Sequence, residues 1–377
     1  MPSAIEKAQK FLNEEKAFRL GELLTESSHP KTRTLSQTLS ANLSEGIRLL
    51  QSVDDDIPPG VEKVFQQAPF TELIKAFSSA LKAGRRIFFT GCGATGRLSI
   101  LLETAWRRFW RTLKQTHPDI AARMPRMEDL TFSVMAGGDF ALIKAVEGFE
   151  DFPDFGRYQL KQADVSCGDV VVAITEGGET PFVIGTAWEG LDVGAKVFFV
   201  YNNPTELLSR FVQRSREVIE EPRITKLDLS TGPMAITGSM RMQAVTAELL
   251  VIGCALETAL IQFLKENLTA SEWAKLGLSI LPPEDYHQLF VKLLTELSKP
   301  KMVDAMALLT GFEENIYRRH GLITYMADSA ILDVLTDTTE RSPTFMIPAF
   351  RKQGDTRSPQ SWAFVKNPFI PTKEAWR

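Results

Sequence analysis

The sequence predicts an α/β protein built on a doubly wound parallel sheet, and two observations carry that expectation. Short β-rich runs recur at 87–90, 130–135, 169–174 and 196–201, each followed by a loop and a helix-like segment. That alternation lays parallel strands between helices on both faces. The turn Gly91-Cys92-Gly93-Ala94-Thr95-Gly96 joins the first run to its helix, in the G-x-G-x-x-G order of turns that hold phosphates at a helix N-terminus.

Taken in order, residues 1–60 read as a helical lead-in broken by Pro30, Pro58 and Pro59, with Asp54-Asp55-Asp56 expected as a solvated turn. Residues 61–270 form the principal domain. Apolar residues recur at helical spacing over 70–81, Gly84 ends that helix, and 239–268 reads as one mostly buried helix because nearly every face is apolar. Residues 271–377 read as a helical connector, with amphipathic runs at 287–297 and 302–312, leading into a partial or degenerate second α/β domain. Its strand, loop and helix begin at 321–335. Too little chain follows to complete a domain of the first one's size, and Thr372 starts a last helix that stops after a turn, so a truncated chain or a remnant domain is expected.

The 377 residues, 44% of them hydrophobic, suffice for at least two packed cores. Forty-three basic against 47 acidic residues give a net charge of −4, which supplies no basic field for nucleic acid. Cys92, Cys167 and Cys254 are scattered rather than paired, so no disulfide framework, zinc site or other metal site is expected and a reducing cytoplasm is the expected compartment. The N-terminus lacks the apolar core and cleavage site of a signal peptide. The run 249–264 is interrupted by Glu257 and shorter than the ~20 residues a bilayer needs, so no membrane partner is expected.

Three readings of the glycine turn stand side by side: a dinucleotide site, a tight turn alone, or a cradle for one phosphate or sugar oxygen. A dinucleotide fold expects an acidic residue about 20 positions past the glycines. Here Asp139 comes far later and Arg97 follows the last glycine directly. The cradle reading is preferred, with Thr95 adding a hydroxyl donor, because three other loops support it. "TEGGETP" at 175–181 is a polar, glycine-bearing loop with Pro181 at a helix start. "AGGDFALIKAVEGFED" at 136–151 brings Glu147 and Glu150 to a helix end. In "TGPMAITGSMRMQAVTAELL", at 231–250, Gly238 and Ser239 precede the long helix and Arg241 is expected in its first turn.

With "LLTESSHPKTRTLS" at 23–36, these motifs form an ordered series over about 23–265 that resembles the sugar isomerase (SIS) domain family. Within it they resemble the branch shared by N-acetylmuramic acid 6-phosphate etherases and glucokinase regulatory protein. The resemblance implies a five-stranded parallel sheet flanked by helices, dimeric or duplicated within one chain, with "LTDTTERSPTF" at 335–345 echoing the stretch after the glycine loop. It also implies no cofactor. Etherases of the branch remove lactate from a sugar phosphate by elimination and hydration, using one glutamate on the helix after the glycine loop and another in a Glu-Gly-x-Glu-Asp stretch. Glu150 matches the second, whereas Ala105 occupies the position of the first. Glu103, two residues away, is turned about 200° around the helix. In the second unit Glu340 matches the missing glutamate, but the preceding loop, 326–330, has lost its glycines and Asp328 would repel a phosphate.

Other departures bear on charge. Gly177 stands where the family places serine, Gln243 where it places lysine, and Glu176 and Glu179 flank the loop. A bound phosphate then needs compensation from Arg241, Arg97 or the second domain. The resulting expectation is a sensor of the regulatory-protein type, which binds a phosphorylated sugar or amino-sugar derivative and changes its domain or partner packing on occupancy. A sugar kinase is a possible partner and a homodimer a possible assembly. The ligand grip is assigned to Gly93, Ala94, Thr95, Gly96, Glu147, Glu150, Thr175, Glu176, Gly177, Gly178, Glu179, Thr180, Ser239 and Arg241. The alternative is an etherase-like lyase or a sugar-phosphate isomerase with Glu150 as catalytic base.

Overall fold

The computed structural model describes residues 2–14, 20–142, 146–328, 331–338, 348 and 354–375. The Glu147 side chain, Ser329, Ala330, Glu340 and most of the 335–345 echo lie outside the described residues.

The lead-in comprises α1 (Ala4–Glu14), which buries no residue, then α2 (Leu35–Ala41), α3 (Leu43–Gln51), α4 (Ile57–Phe65) and α5 (Ala68–Lys82). Asn42 caps α3 by accepting the Glu45 N–H at 3.2 Å. The aspartate cluster is not the solvated turn that its charge suggests. Asp56 bonds the His29 ring at 2.8 Å and the Lys31 ammonium at 3.0 Å, folding the turn onto the segment at 29–31. Burial, with Asp55 and Asp56 nearby, pushes the Asp54 carboxyl up to about 6.

The principal domain then alternates β1 (Ile87–Gly91), α6 (Gly93–Thr116), α7 (Pro118–Ala122), β2 (Thr131–Met135), α8 (Glu147–Glu150), α9 (Pro153–Gln162) and β3 (Val170–Ile174). It continues with α10 (Pro181–Asp192), β4 (Lys196–Tyr201), α11 (Thr205–Phe211), α12 (Gln213–Glu220), β5 (Ile224–Asp228) and α13 (Gln243–Asn267). All five strands are parallel, in the order β2-β1-β3-β4-β5. Side chains alternate between two cores, as the period of two requires. Val170, Val172 and Ile174 join Leu98, Leu102, Trp106 and Val251 on one face, while Val171 and Ala173 join Phe182, Val183 and Leu160 on the other.

Helix α13 begins at Gln243, four residues later than the apolar pattern predicts. The Gln243 side chain explains the delay: it accepts the Ala235 N–H at 2.9 Å and donates to the Pro233 carbonyl at 2.7 Å, holding the preceding turns in place. Ser239 therefore precedes the helix, and Arg241 also lies before it, not in its first turn. By length and composition α13 could cross a membrane, but Val251, Ile252, Ala255, Ala259 and Leu264 are buried in the core shared with α5 and α6.

Beyond it lie α14 (Ala270–Leu276), α15 (Pro283–Leu297), α16 (Pro300–Arg318), β6 (Ile323–Met326), α17 (Ile331–Thr338), β7 (Ala363–Lys366) and α18 (Thr372–Ala375). Helix α15 packs on α4 and α16 on α3, so connector and lead-in share a small core at Ile47, Val303 and Ala307. Strands β6 and β7 pair in parallel beside α17, which also touches α6.

Candidate functional site

Strand order reverses between β1 and β3, so the loops leaving their C-terminal ends diverge and open a crevice, the switch point at which doubly wound sheets bind ligands. The glycine loop and the 175–180 loop form its two walls.

The glycine loop is tight because its backbone turns onto itself and onto β2. A Cβ on Gly91 would fall 2.5 Å from the Thr95 carbonyl carbon, and one on Gly96 would fall 2.4 Å from Met135 Cγ. Gly93 and Ala94 stay half-exposed at the N-terminus of α6, where the helix dipole favours an anion. Thr95 does not serve as the expected ligand donor. Its hydroxyl accepts the Cys92 N–H at 3.0 Å and donates to the Cys92 carbonyl at 2.8 Å, and the residue is 1% exposed. It stiffens the turn. Arg97 is likewise buried, donating to the Gly93 carbonyl at 2.8 Å and the Ala141 carbonyl at 3.0 Å, so it braces the loop instead of facing a phosphate.

Glu150 comes to this loop from α8, its Oε2 accepting the Cys92 thiol at 3.0 Å. Across the crevice Thr175 donates to the Thr180 hydroxyl at 3.1 Å, ahead of Pro181 and the N-terminus of α10. Gly177 and Gly178 are buried, with the Asn203 amide on the Gly177 carbonyl at 2.9 Å and the Ser215 hydroxyl on the Gly178 carbonyl at 2.7 Å. Glu179 forms an ion pair with Arg214, which also bonds its carbonyl. Ser239 is 6% exposed and Arg241 half-buried in the turn before α13.

Below the 175–180 loop lies a buried acid pair that the pattern of strands and helices does not reveal. Glu248 of α13 is fully buried, accepts the Asn202 amide at 2.8 Å and lies near Glu176, itself 7% exposed. Burial pushes the Glu248 carboxyl well above the carboxylate range, the Glu176 charge adds to this, and the Asn202 bond opposes it. Glu248 Oε2 and Asn202 Oδ1 have no hydrogen-bond partner among the described residues.

Asn202, Asn203, Arg214 and Glu248 thus support the 175–180 loop in a way that the motif reading misses. The two asparagines carried a usable signal, since they follow a parallel strand directly at its C-terminal end. Asn203 also bonds Thr25 at 2.9 Å, and Thr32 donates to the Ala235 carbonyl at 2.6 Å, so the 23–36 motif straps the loops after β3, β4 and β5 together.

Ala105 belongs elsewhere. Helix α6 is continuous, so Ala105 lies about 18 Å along the axis from Gly93 at ~1.5 Å per residue. It lines an apolar groove of about 660 Å³ between α6, α13 and α15. Glu103 turns away from that groove, accepting the Ser133 N–H at 2.7 Å and Arg107 at 2.8 Å. Among the described residues no group of three or more His, Cys, Asp or Glu is placed to hold a metal ion.

Residues 70–189 match the family model of the glucokinase regulatory protein N-terminal SIS domain. The chain is similar to N-acetylmuramic acid 6-phosphate etherase of Pectobacterium atrosepticum, 29% identical over 235 residues, 62% of this chain and 68% of that protein. N-acetylmuramic acid 6-phosphate etherase 1 of Bacillus licheniformis is 29% identical over 255 residues, 66% and 73% of the two chains. A Vibrio cholerae etherase of the same name, numbered 2, is 28% identical over 243 residues, 64% and 69%.

Proposed function

We propose that this protein, which carries an SIS domain of the branch shared by glucokinase regulatory protein and the N-acetylmuramic acid 6-phosphate etherases, binds an amino-sugar 6-phosphate in its switch-point crevice and acts on it as an etherase-type lyase. The observation that carries the binding site is the convergence of two helix N-termini, at Gly93 and Pro181, on the crevice that also holds Glu150. The names of the relatives favour the reaction. In it Glu150 removes the proton next to the masked carbonyl, the ether C–O bond breaks as the leaving oxygen takes a proton back from Glu150 to release lactate, and water adds to the resulting double bond.

The charge objection to a phosphate is met at Glu179, which pairs with Arg214, while burial raises the Glu248 carboxyl well above the carboxylate range and so limits the charge it adds beside Glu176. Arg214→Ala should therefore weaken sugar-phosphate binding by about tenfold while leaving the unphosphorylated sugar unaffected. Titration calorimetry with both ligands reads this; equal losses for the two would remove Arg214 from phosphate recognition.

Incubation with N-acetylmuramic acid 6-phosphate, lactate assay and calorimetry together test the function. Lactate release that disappears in Glu150→Gln, with binding retained, is the expected result. Absence of both heat and lactate at millimolar substrate would overturn it. Binding without lactate would select the second reading, a ligand-responsive regulator, which Ala105 favours because it leaves α6 without a carboxylate at the position that the resemblance assigns to the first glutamate. In that reading a cytoplasmic sugar kinase is the proposed partner; a homodimer is proposed for either.

A further inference from the structure

The opposite end of the sheet carries a separate polar cavity. Residues that lead into the first three strands line it: Arg85 and Arg86 before β1, Arg126 and Asp129 before β2, and Ser166 and Asp169 before β3. Its volume is about 490 Å³, and it lies at the N-terminal strand ends, whereas the crevice opens at the C-terminal ends of β1 and β3.

Both acids of the lining are already paired. Asp169, 1% exposed, accepts the Arg86 N–H at 2.9 Å, the Arg86 guanidinium at 3.4 Å, the Ser166 N–H at 2.9 Å and the Ser166 hydroxyl at 3.0 Å. Asp129 accepts the Arg107 guanidinium at 2.7 Å. Two cations are left over. Arg85 and Arg126 are exposed, and neither side chain has an ion pair or hydrogen bond among the described residues. The backbone also makes room for them. A Cβ on Gly168 would fall 3.3 Å from Arg85 Nε, so the missing side chain lets Arg85 lie against that loop. Arg126 holds a φ of 68°, a left-handed conformation that asparagine or glycine adopts at lower cost.

We propose that this cavity binds a small phosphorylated molecule, with its phosphate between the Arg85 and Arg126 guanidiniums. The guanidinium fork matches phosphate oxygens in pairs. The volume exceeds the needs of a bare phosphate and falls in the range of small-molecule sites, so the ligand carries an organic remainder. Nucleic acid and anionic membrane are disfavoured, because a net charge of −4 gives the chain no wider positive field. The proposal stands whether or not the crevice turns over an ether.

Arginine footprinting of the full chain with phenylglyoxal, resolved by peptide mass spectrometry, tests it with glycerol 3-phosphate as the probe. The probe should slow modification of Arg85 and Arg126 by at least about threefold, the protection reached when about two thirds of the sites are filled. Glycerol, and sodium chloride at matched ionic strength, should leave both rates unchanged. In Arg126→Asn the protection of Arg85 should be lost while the thermal midpoint is kept or raised, since asparagine suits the left-handed backbone. Unprotected arginines, protection that salt reproduces, or Arg85 protection that survives Arg126→Asn overturns the proposal. So does a lowered midpoint in that variant, which would make Arg126 a structural residue, and so does protection confined to Arg241, which would place the phosphate in the crevice alone.

Discussion

Gly185→Ala should destabilise the principal domain by about 3 kcal/mol or more, well above the usual effect of a single methyl group. The added Cβ would lie 1.9 Å from the Pro153 carbonyl oxygen and 2.7 Å from its carbon. Both are backbone atoms, so no side-chain rotation relieves the overlap. Gly156 makes the reciprocal approach to Phe182 on α10, so the two helices can separate only by opening both contacts and the core of Leu160, Phe182, Val183 and Ala187 between them and the sheet. Gly253→Ala is the control. It also adds one methyl to a buried-domain helix, but its Cβ would meet only Leu102 Cδ2, at 3.9 Å. There the gain in helix propensity, up to about 1 kcal/mol, should make the change neutral or stabilising. Denaturant unfolding of the two variants should differ in sign; equal midpoints would mean that α9 and α10 are not locked by this contact.

How far the sequence discloses the molecule follows from which residues carry each element. The central strands are legible because burial on both faces makes them apolar throughout, as in 170–174 and 196–201. The edge strand β5 escapes that reading, since "ITKLD" carries Thr225, Lys226 and Asp228 on partly exposed positions; only the family resemblance supplies a fifth strand. At the site, loop positions are legible and side-chain duties are not. Thr95 and Arg97 have the chemistry of ligand donors, yet both are consumed by nearby carbonyls, and no spacing rule announces that. Glu248 fails for the opposite reason. On an apolar helix that also carries Glu257 and Glu266, nothing in the sequence sets Glu248 apart, and only the tertiary contact with Asn202 and Glu176 reveals a buried acid.

That buried acid gives the second large effect. Glu248→Gln should make the protein progressively more stable than wild type as pH rises, because the folded state holds a proton on Glu248 that the unfolded chain releases near the ordinary pKa. With the folded pKa raised, the wild-type contribution is fully present below the unfolded value and is lost as pH rises through the folded one, with a slope of up to about 1.4 kcal/mol per pH unit. Glutamine has the shape of the neutral acid and keeps an oxygen for the Asn202 amide, but it cannot ionise. Titrations of groups remote from Glu248, including Asp54 with its pKa raised to about 6, occur in both proteins and cancel in the difference. Glu248→Ala separates proton loss from cavity formation: it strips the Asn202 amide of its partner at every pH, for a roughly constant loss of about 2–4 kcal/mol relative to Gln. Unfolding curves collected from pH 5 to pH 9 decide the matter. Parallel pH profiles for wild type and Glu248→Gln would mean that Glu248 ionises as readily folded as unfolded, and the 175–180 loop would then rest on two negative charges, a poor foundation for any phosphate site.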